Sequence, residues 1–351
     1  MEMRSRERGA RATTFPADGR PAITGVIMSR FVWSFFCVVA VASAAFSQTP
    51  APALLVLNKA ANELAIVDPA ALKVVARVAV GEAPHEVCSD GKLAVVGNYG
   101  TGPRPGNTLS VIDLASQKEL KRVDLGALRR PHGIVCSGGK AWFTAEGNKL
   151  IGRLDPASGA VDWLMGTGQN STHMLVLTRD ESKIFTANIG SDSITCLENA
   201  GNRGWQATVI AVGKGPEAID LSPDGREVWT AHSQDGGVSI IDVETKKVNQ
   251  TLAALTRHSN RLKFTPDGKR VLISDAEGGE VVVLDAETRK EVKRIKTGGQ
   301  PLGIQMQPDG ARAYVALAQE GAVAVIDLKT LEISGKVATG PQADGLAWAG
   351  K

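Results

Sequence analysis

The chain has five histidines: His85, His132, His173, His232 and His258. Two follow a proline directly (Pro84-His85, Pro131-His132), and acids stand near the others, among them Glu146, Glu217 and Asp275. Imidazole is the commonest nitrogen ligand for Zn, Cu or Fe, and beside a carboxylate it can also serve as a general base. His85, His132, His173 and Glu146 therefore suit a metal site or acid–base chemistry at a shared point. No His-Glu-x-x-His, Gly-x-Ser-x-Gly or Cys-x-x-Cys-His occurs. A zincin, an α/β-hydrolase and covalent c-type haem are set aside.

What brings such scattered residues together is a repeat. Seven apolar runs end in an acid, at Asp68, Asp113, Asp155, Glu198, Asp242, Asp285 and Asp327. Each unit opens on a Gly/Pro step and a short apolar run. A tight turn follows, such as Ser222-Pro-Asp-Gly225, Thr265-Pro-Asp-Gly268 or Gln307-Pro-Asp-Gly310. Proline presets φ for the turn and glycine supplies the positive φ that closes it. A second strand, the strand ending in the acid and a returning fourth strand complete the unit. Seven units of about 43 residues, each with four short antiparallel strands, predict an all-β seven-bladed propeller over 48–351. Leu54–Leu57 matches a second strand with its first strand missing, and 341–349 matches a lone first strand. The C-terminal strand is therefore expected to complete the first blade and close the ring.

Units written as Gly-x-x-Pro, Pro-Asp-Gly, a strand such as Tyr314-Val-Ala-Leu317 and then Val-Ile-Asp resemble the YVTN-type β-propeller repeat. The resemblance spans nearly all of 48–351 and is specific for architecture. It implies an exported bacterial surface or periplasmic protein. Its seven-bladed relations include lactonases, the propeller subunit of amine dehydrogenases and the copper-cluster domain of nitrous oxide reductase. Fold does not choose among these.

In such a ring two sets of side chains share one face around the channel. The first follows the Gly/Pro step: His85, His132, His173, Glu217, Asn260, Leu302 and Gln342. The second ends strand two: Asn58, Asn98, Glu146, Asn188, His232, Asp275 and Leu317. These polar residues are the expected ligand-binding face, with His85, His132 and His173 as candidate metal ligands. The loop Asn98–Asn107 lies on the same face and is read as a lid that could cradle an anion with Arg104. Cys88 and Cys136 end inner strands of adjacent blades, which are expected to stand too far apart for a disulfide. With Cys196 they leave an odd count after Cys37 is set aside.

Before the ring, Met28-Ser-Arg, an apolar run from Phe31 to Ala42 and small residues at 42–45 and 47 read as a secretory signal. Cleavage is expected after Ala44 or Ser47, with Met28 as the true start. The apolar run is too short for a comfortable span, so no membrane segment is expected in the exported chain. Residues 1–47 hold six arginines and three acids; without them the chain's 40 basic and 37 acidic residues balance. A neutral body argues against nucleic acid as partner. The composition, 43% hydrophobic and 22% charged with 38 glycines, is that of a folded, turn-rich domain.

Three functions remain open: a non-catalytic binding or scaffold protein, a lactonase-type hydrolase using His85, His132, Glu146, His173 and Glu217, and a propeller subunit that docks a redox enzyme. The first leads, with a protein or small-molecule ligand on one face and the chain a monomer. No cofactor is expected beyond a transition metal at the histidines.

Overall fold

The alternation of the sequence sets each strand's place. Second and third strands are apolar on both sides, as in Leu54-Leu-Val-Leu57 and Val281-Val-Val-Leu284, and are buried throughout. Outer strands alternate, as in Glu119-Leu-Lys-Arg-Val123, with one side packed and the other wet. The computed structural model describes residues 49–350; the expected signal segment lies outside them. Twenty-eight strands, numbered β1 to β28 in chain order, form seven four-stranded antiparallel sheets. Among the described residues no helix is long and apolar enough to cross a membrane.

Six blades take four consecutive strands. The first has the order β28-β1-β2-β3, with β28 (Ala343–Ala349) innermost against β1 (Ala53–Asn58). Leu54 faces Trp348 and Val56 faces Leu346 across that pair. The ring thus closes by the C-terminal strand, and no inner edge is left open. Trp348 stacks on Tyr314 of the seventh blade, ring centroids 5.9 Å apart. Apolar clusters bridge neighbouring blades: Leu54, Val56 and Leu346 of the first pack with Tyr314, Ala316 and Val323 of the seventh. Each Leu or Val so buried contributes about 1.5–3 kcal/mol.

The turns follow their residues. Ser222 Oγ donates to Asp224 Oδ1 at 2.6 Å, Gly225 N donates to Ser222 O at 2.8 Å, and Gly225 takes φ +76°. The repeat acids cap the next turn: Asp242 Oδ1 accepts from Thr245 N at 2.7 Å and from Thr245 Oγ1 at 2.8 Å.

Cys88 and Cys136 are joined in a disulfide, with Cα atoms 5.4 Å apart. This corrects the expected separation. Inner strands converge toward the channel, so β4 (Pro84–Ser89) and β8 (Pro131–Ser137) come within the 4.4–6.8 Å a bridge needs. Cys196 is buried and free, its thiol pushed up to about 12 by burial.

Candidate functional site

The inner strands are interrupted at the same point. The register of each against its second strand shifts across Pro84/Glu86, Pro131/Ile134, Thr172/Leu175, Pro216/Ala218, Ser259/Leu262 and Pro301/Ile304. A bulge inserts an unpaired residue and re-aims its side chain. The residues so placed are His85, His132, His173, Glu217, Asn260 and Leu302. In the first blade the shift on β28 falls between Ala343 and Leu346, which makes Asp344 the seventh member rather than Gln342. Glycine follows the bulge residue in three blades because neighbouring backbones touch there. A Cβ on Gly133 would stand 2.6 Å from His173 O, and one on Gly345 would stand 2.2 Å from His85 O.

All seven line one cavity of about 370 Å³ at the channel mouth, joined by Lys59, His258 and Arg261. His85, His132 and His173 form an arc, with ring centroids 4.9 Å apart for the first pair and 3.7 Å for the second. Tyr99 extends it, 4.5 Å from His85 and edge-on to His132 at 5.3 Å, with the Arg130 guanidinium 4.9 Å from its centroid. The imidazoles stack instead of converging, and among the described residues no three His, Cys, Asp or Glu side chains surround a point as a bare metal ion requires.

Carboxylates flank the arc. Asp344 Oδ2 lies 3.4 Å from His85 Nδ1 and 3.4 Å from Lys59 Nζ. Glu146 Oε2 accepts from Tyr99 OH at 2.9 Å and lies 3.6 Å from His173 Nδ1. Glu217 accepts from Asn260 Nδ2 at 2.7 Å, and its other oxygen is 3.7 Å from His258 Nε2. Nδ1 of His132 and of His173 is buried without a hydrogen-bond partner. Burial lowers His85 to about 3, against the pull of Asp344, and lowers His132 well below the usual histidine range. Both are neutral at pH 7. Burial also lifts Tyr99, helped by Glu146, to about 12. Burial works to raise Glu146, but the nearby His173 imidazole, the Tyr99 hydrogen bond and the Arg130 charge outweigh it and leave the acid low.

Beneath the mouth, Arg261 and Glu86 meet as a buried ion pair. They are the residues after the bulge in their blades, where the third, seventh and first blades have glycine and leave room. Arg261 also lines the channel cavity below, about 380 Å³. Burial raises the Glu86 carboxyl despite Arg261.

The second expected set, Glu146 apart, turns away. Asn98 Oδ1 accepts from Gly81 N at 2.9 Å, and Asn188 Nδ2 donates to Ser193 O at 3.1 Å and Thr195 Oγ1 at 3.0 Å. Asp275 accepts from the backbone of Arg257 and His258 at 2.9 and 3.0 Å. His232 Nδ1 bonds Asp235 Oδ1 at 2.9 Å and is wholly buried. Asn58 donates to Thr339 O, and Leu317 is core. Asn188 and His232 bond within their own blades, while Asn58, Asn98 and Asp275 hold the loops that lead from one blade to the next. The expected lid is an extension of β5 (Leu93–Gly100) and β6 (Pro105–Asp113), with a turn at 101–104. Arg104 is exposed on its rim and pairs with Glu82 at 2.6 Å. Lys59, Glu86, Tyr99, Arg130, Arg261 and Asp344 were not among the residues expected from sequence. For Asp344 a signal exists, since Asp344-Gly-Leu repeats the pattern of His132-Gly-Ile and Leu302-Gly-Ile.

A family model described as the cytochrome D1 heme domain matches residues 164–298, a segment that supplies His173, Glu217, His258, Asn260 and Arg261 to the mouth. No curated protein matches by sequence. Among solved structures the chain is similar to the Kuenenia stuttgartiensis hydrazine synthase, with TM-score 0.65 and 16% identity, covering 75% of this chain and 89% of that one. It is similar to the Pseudomonas aeruginosa periplasmic gluconolactonase PpgL, with TM-score 0.70 and 17% identity, covering 86% and 99%. It is also similar to the dihydro-heme d1 dehydrogenase NirN in complex with DHE, with TM-score 0.60 and 17% identity, covering 85% and 66%. At these identities the likeness carries the propeller fold. The haem-domain match overturns the expectation of a chain without a cofactor, since the matched family is described by its haem.

Proposed function

We propose that the chain is an exported propeller whose channel mouth binds a haem-type ligand without covalent attachment. One observation carries this reading: an arc of three imidazoles lining a 370 Å³ mouth, two of them with a buried Nδ1 that has no hydrogen-bond partner. The donor set fits the group in kind. His85 has Nδ1 3.4 Å from the Asp344 carboxylate, a neighbour of the kind that orients a ligating imidazole and makes it a better donor. Imidazoles of this arc would hold the iron, and Tyr99 adds an aromatic ring at its end, beside His85. Lys59, which lines the mouth, would supply a cation for a propionate-like carboxylate. When bound, such a group supplies a redox-active iron. The match to a haem-domain model and the likeness to a periplasmic lactonase and to NirN support both the ligand class and the export.

Titrating ferric protoporphyrin IX into the purified protein tests the reading. A saturable one-to-one shift of the Soret band is expected, lost in His85→Ala and His173→Ala. Absence of saturation in the unsubstituted protein overturns it.

A second reading rests on the His85–Asp344–Lys59 cluster. An imidazole with an acid 3.4 Å from Nδ1 and a cation near that acid has the geometry of a general base for hydrolysis of a lactone. Acid release from gluconolactone above the spontaneous rate, lost in His85→Gln, is the outcome that would favour it.

A further inference from the structure

The disulfide has a specific address. Cys88 lies on β4, three residues after His85, and Cys136 lies on β8, four residues after His132. At about 3.3 Å per residue the bond sits roughly 10–13 Å below the two imidazoles, on the strands whose bulges aim them. The blades need no covalent tie to stay together, because Cys88 itself packs among Val95, Leu109, Ile134 and Phe143 in a shared apolar cluster. Within the arc, His132 and His173 stack at 3.7 Å, while His85 and His132 are 4.9 Å apart and tilted by 49°. The wider pair is the one whose strands are bridged.

We infer that Cys88 and Cys136 are positioning residues for the channel mouth: their bond fixes the spacing of β4 and β8 and thereby the His85–His132 pair. The mechanism is preorganisation. A crosslink removes relative motion of the two strands before a ligand arrives, so less order must be imposed on binding. The expected benefit in affinity rests on the haem-type reading; the effect on the imidazoles does not. Both sulfur-bearing residues line the channel cavity, and Cys136 also lines a pocket of about 130 Å³ beside Lys140, so a small reductant can approach from either.

The test compares the native protein with Cys88→Ser/Cys136→Ser, well below the unfolding midpoint, with circular dichroism confirming the fold. Ring-proton NMR of the histidines is the readout that a merely stabilising bond would not move. The signals of His85 and His132 are expected to shift or broaden in the double variant. Those of His232, on another blade and bonded to Asp235, are expected to stay. Porphyrin affinity is expected to fall about tenfold, the scale on which lost preorganisation is read. Unchanged His85 and His132 signals in a folded double variant overturn the inference. Moved signals with no porphyrin binding in either protein uphold it and remove the haem-type reading instead. Should the double variant not fold, native protein reduced with tris(2-carboxyethyl)phosphine gives the same comparison. Loss of fold there too makes the bond one of stability alone and overturns the positioning role.

Discussion

Glu86 and Arg261 stand 175 positions apart in the chain and meet across the channel as a buried ion pair. The pair forms a floor between the mouth and the channel below. Removing one partner strands the other: Arg261→Met should cost about 3–5 kcal/mol, the range for breaking a buried pair. Glu86→Gln/Arg261→Met should cost less than Arg261→Met alone. Urea unfolding of the two variants checks this, and a double variant at least as unstable as the single would contradict it.

His85 and His132 link the mouth to pH. Burial depresses both, His85 to about 3, so the folded state keeps them neutral while the unfolded chain protonates near 6.5. The stability they contribute is therefore full above 6.5 and falls as pH drops through the interval between 6.5 and the folded value. The slope is at most about 1.4 kcal/mol per pH unit for each group. His85→Gln should flatten the unfolding free energy between pH 6.5 and 4. An equal slope in variant and parent would count against burial as the cause.

Tyr99 reports on Glu146. Burial and the neighbouring carboxylate hold the phenol at about 12. Glu146→Gln removes the charge and leaves the burial, so the phenol should titrate lower than in the parent yet remain above 10. Ultraviolet difference titration at the phenolate band measures it directly.

Ring closure is testable by truncation. Deleting 341–351 removes the partner strand of β1 and exposes Leu54, Leu55 and Val56, each fully buried. Several kcal/mol should be lost, far beyond an ordinary surface change. Trp348→Ala, which removes only the stack on Tyr314 and its half-buried packing, should cost about 2 kcal/mol. A truncated chain that unfolds at the parent's midpoint would rule out this closure.

The blades were legible because each carries its own punctuation: an acid that caps a turn, a Pro-Asp-Gly, an alternating outer strand. Those are local, and local signals survive in a sequence. The first set of mouth residues was legible for six blades and misplaced in the first, where Pro341 drew the alignment to Gln342 although the bulge falls on Asp344. The second set was placed at the right strand ends, but which way Asn98, Asn188 or Asp275 turns depends on the loop beside it. The Cys88–Cys136 bond, the Arg261–Glu86 pair and the Tyr99–Glu146 contact depend on distances between blades, which no single repeat encodes.

The bulge has a consequence for how such a ring changes over generations. Its unpaired residue contributes little to the sheet ladder or to the apolar clusters between blades, so a substitution there alters what the mouth presents without asking the blade to refold. The mouth is in that sense a seven-letter word, one letter per blade, here His-His-His-Glu-Asn-Leu-Asp from the second blade round to the first. Chemistry can be respelled one letter at a time while the scaffold stays in print.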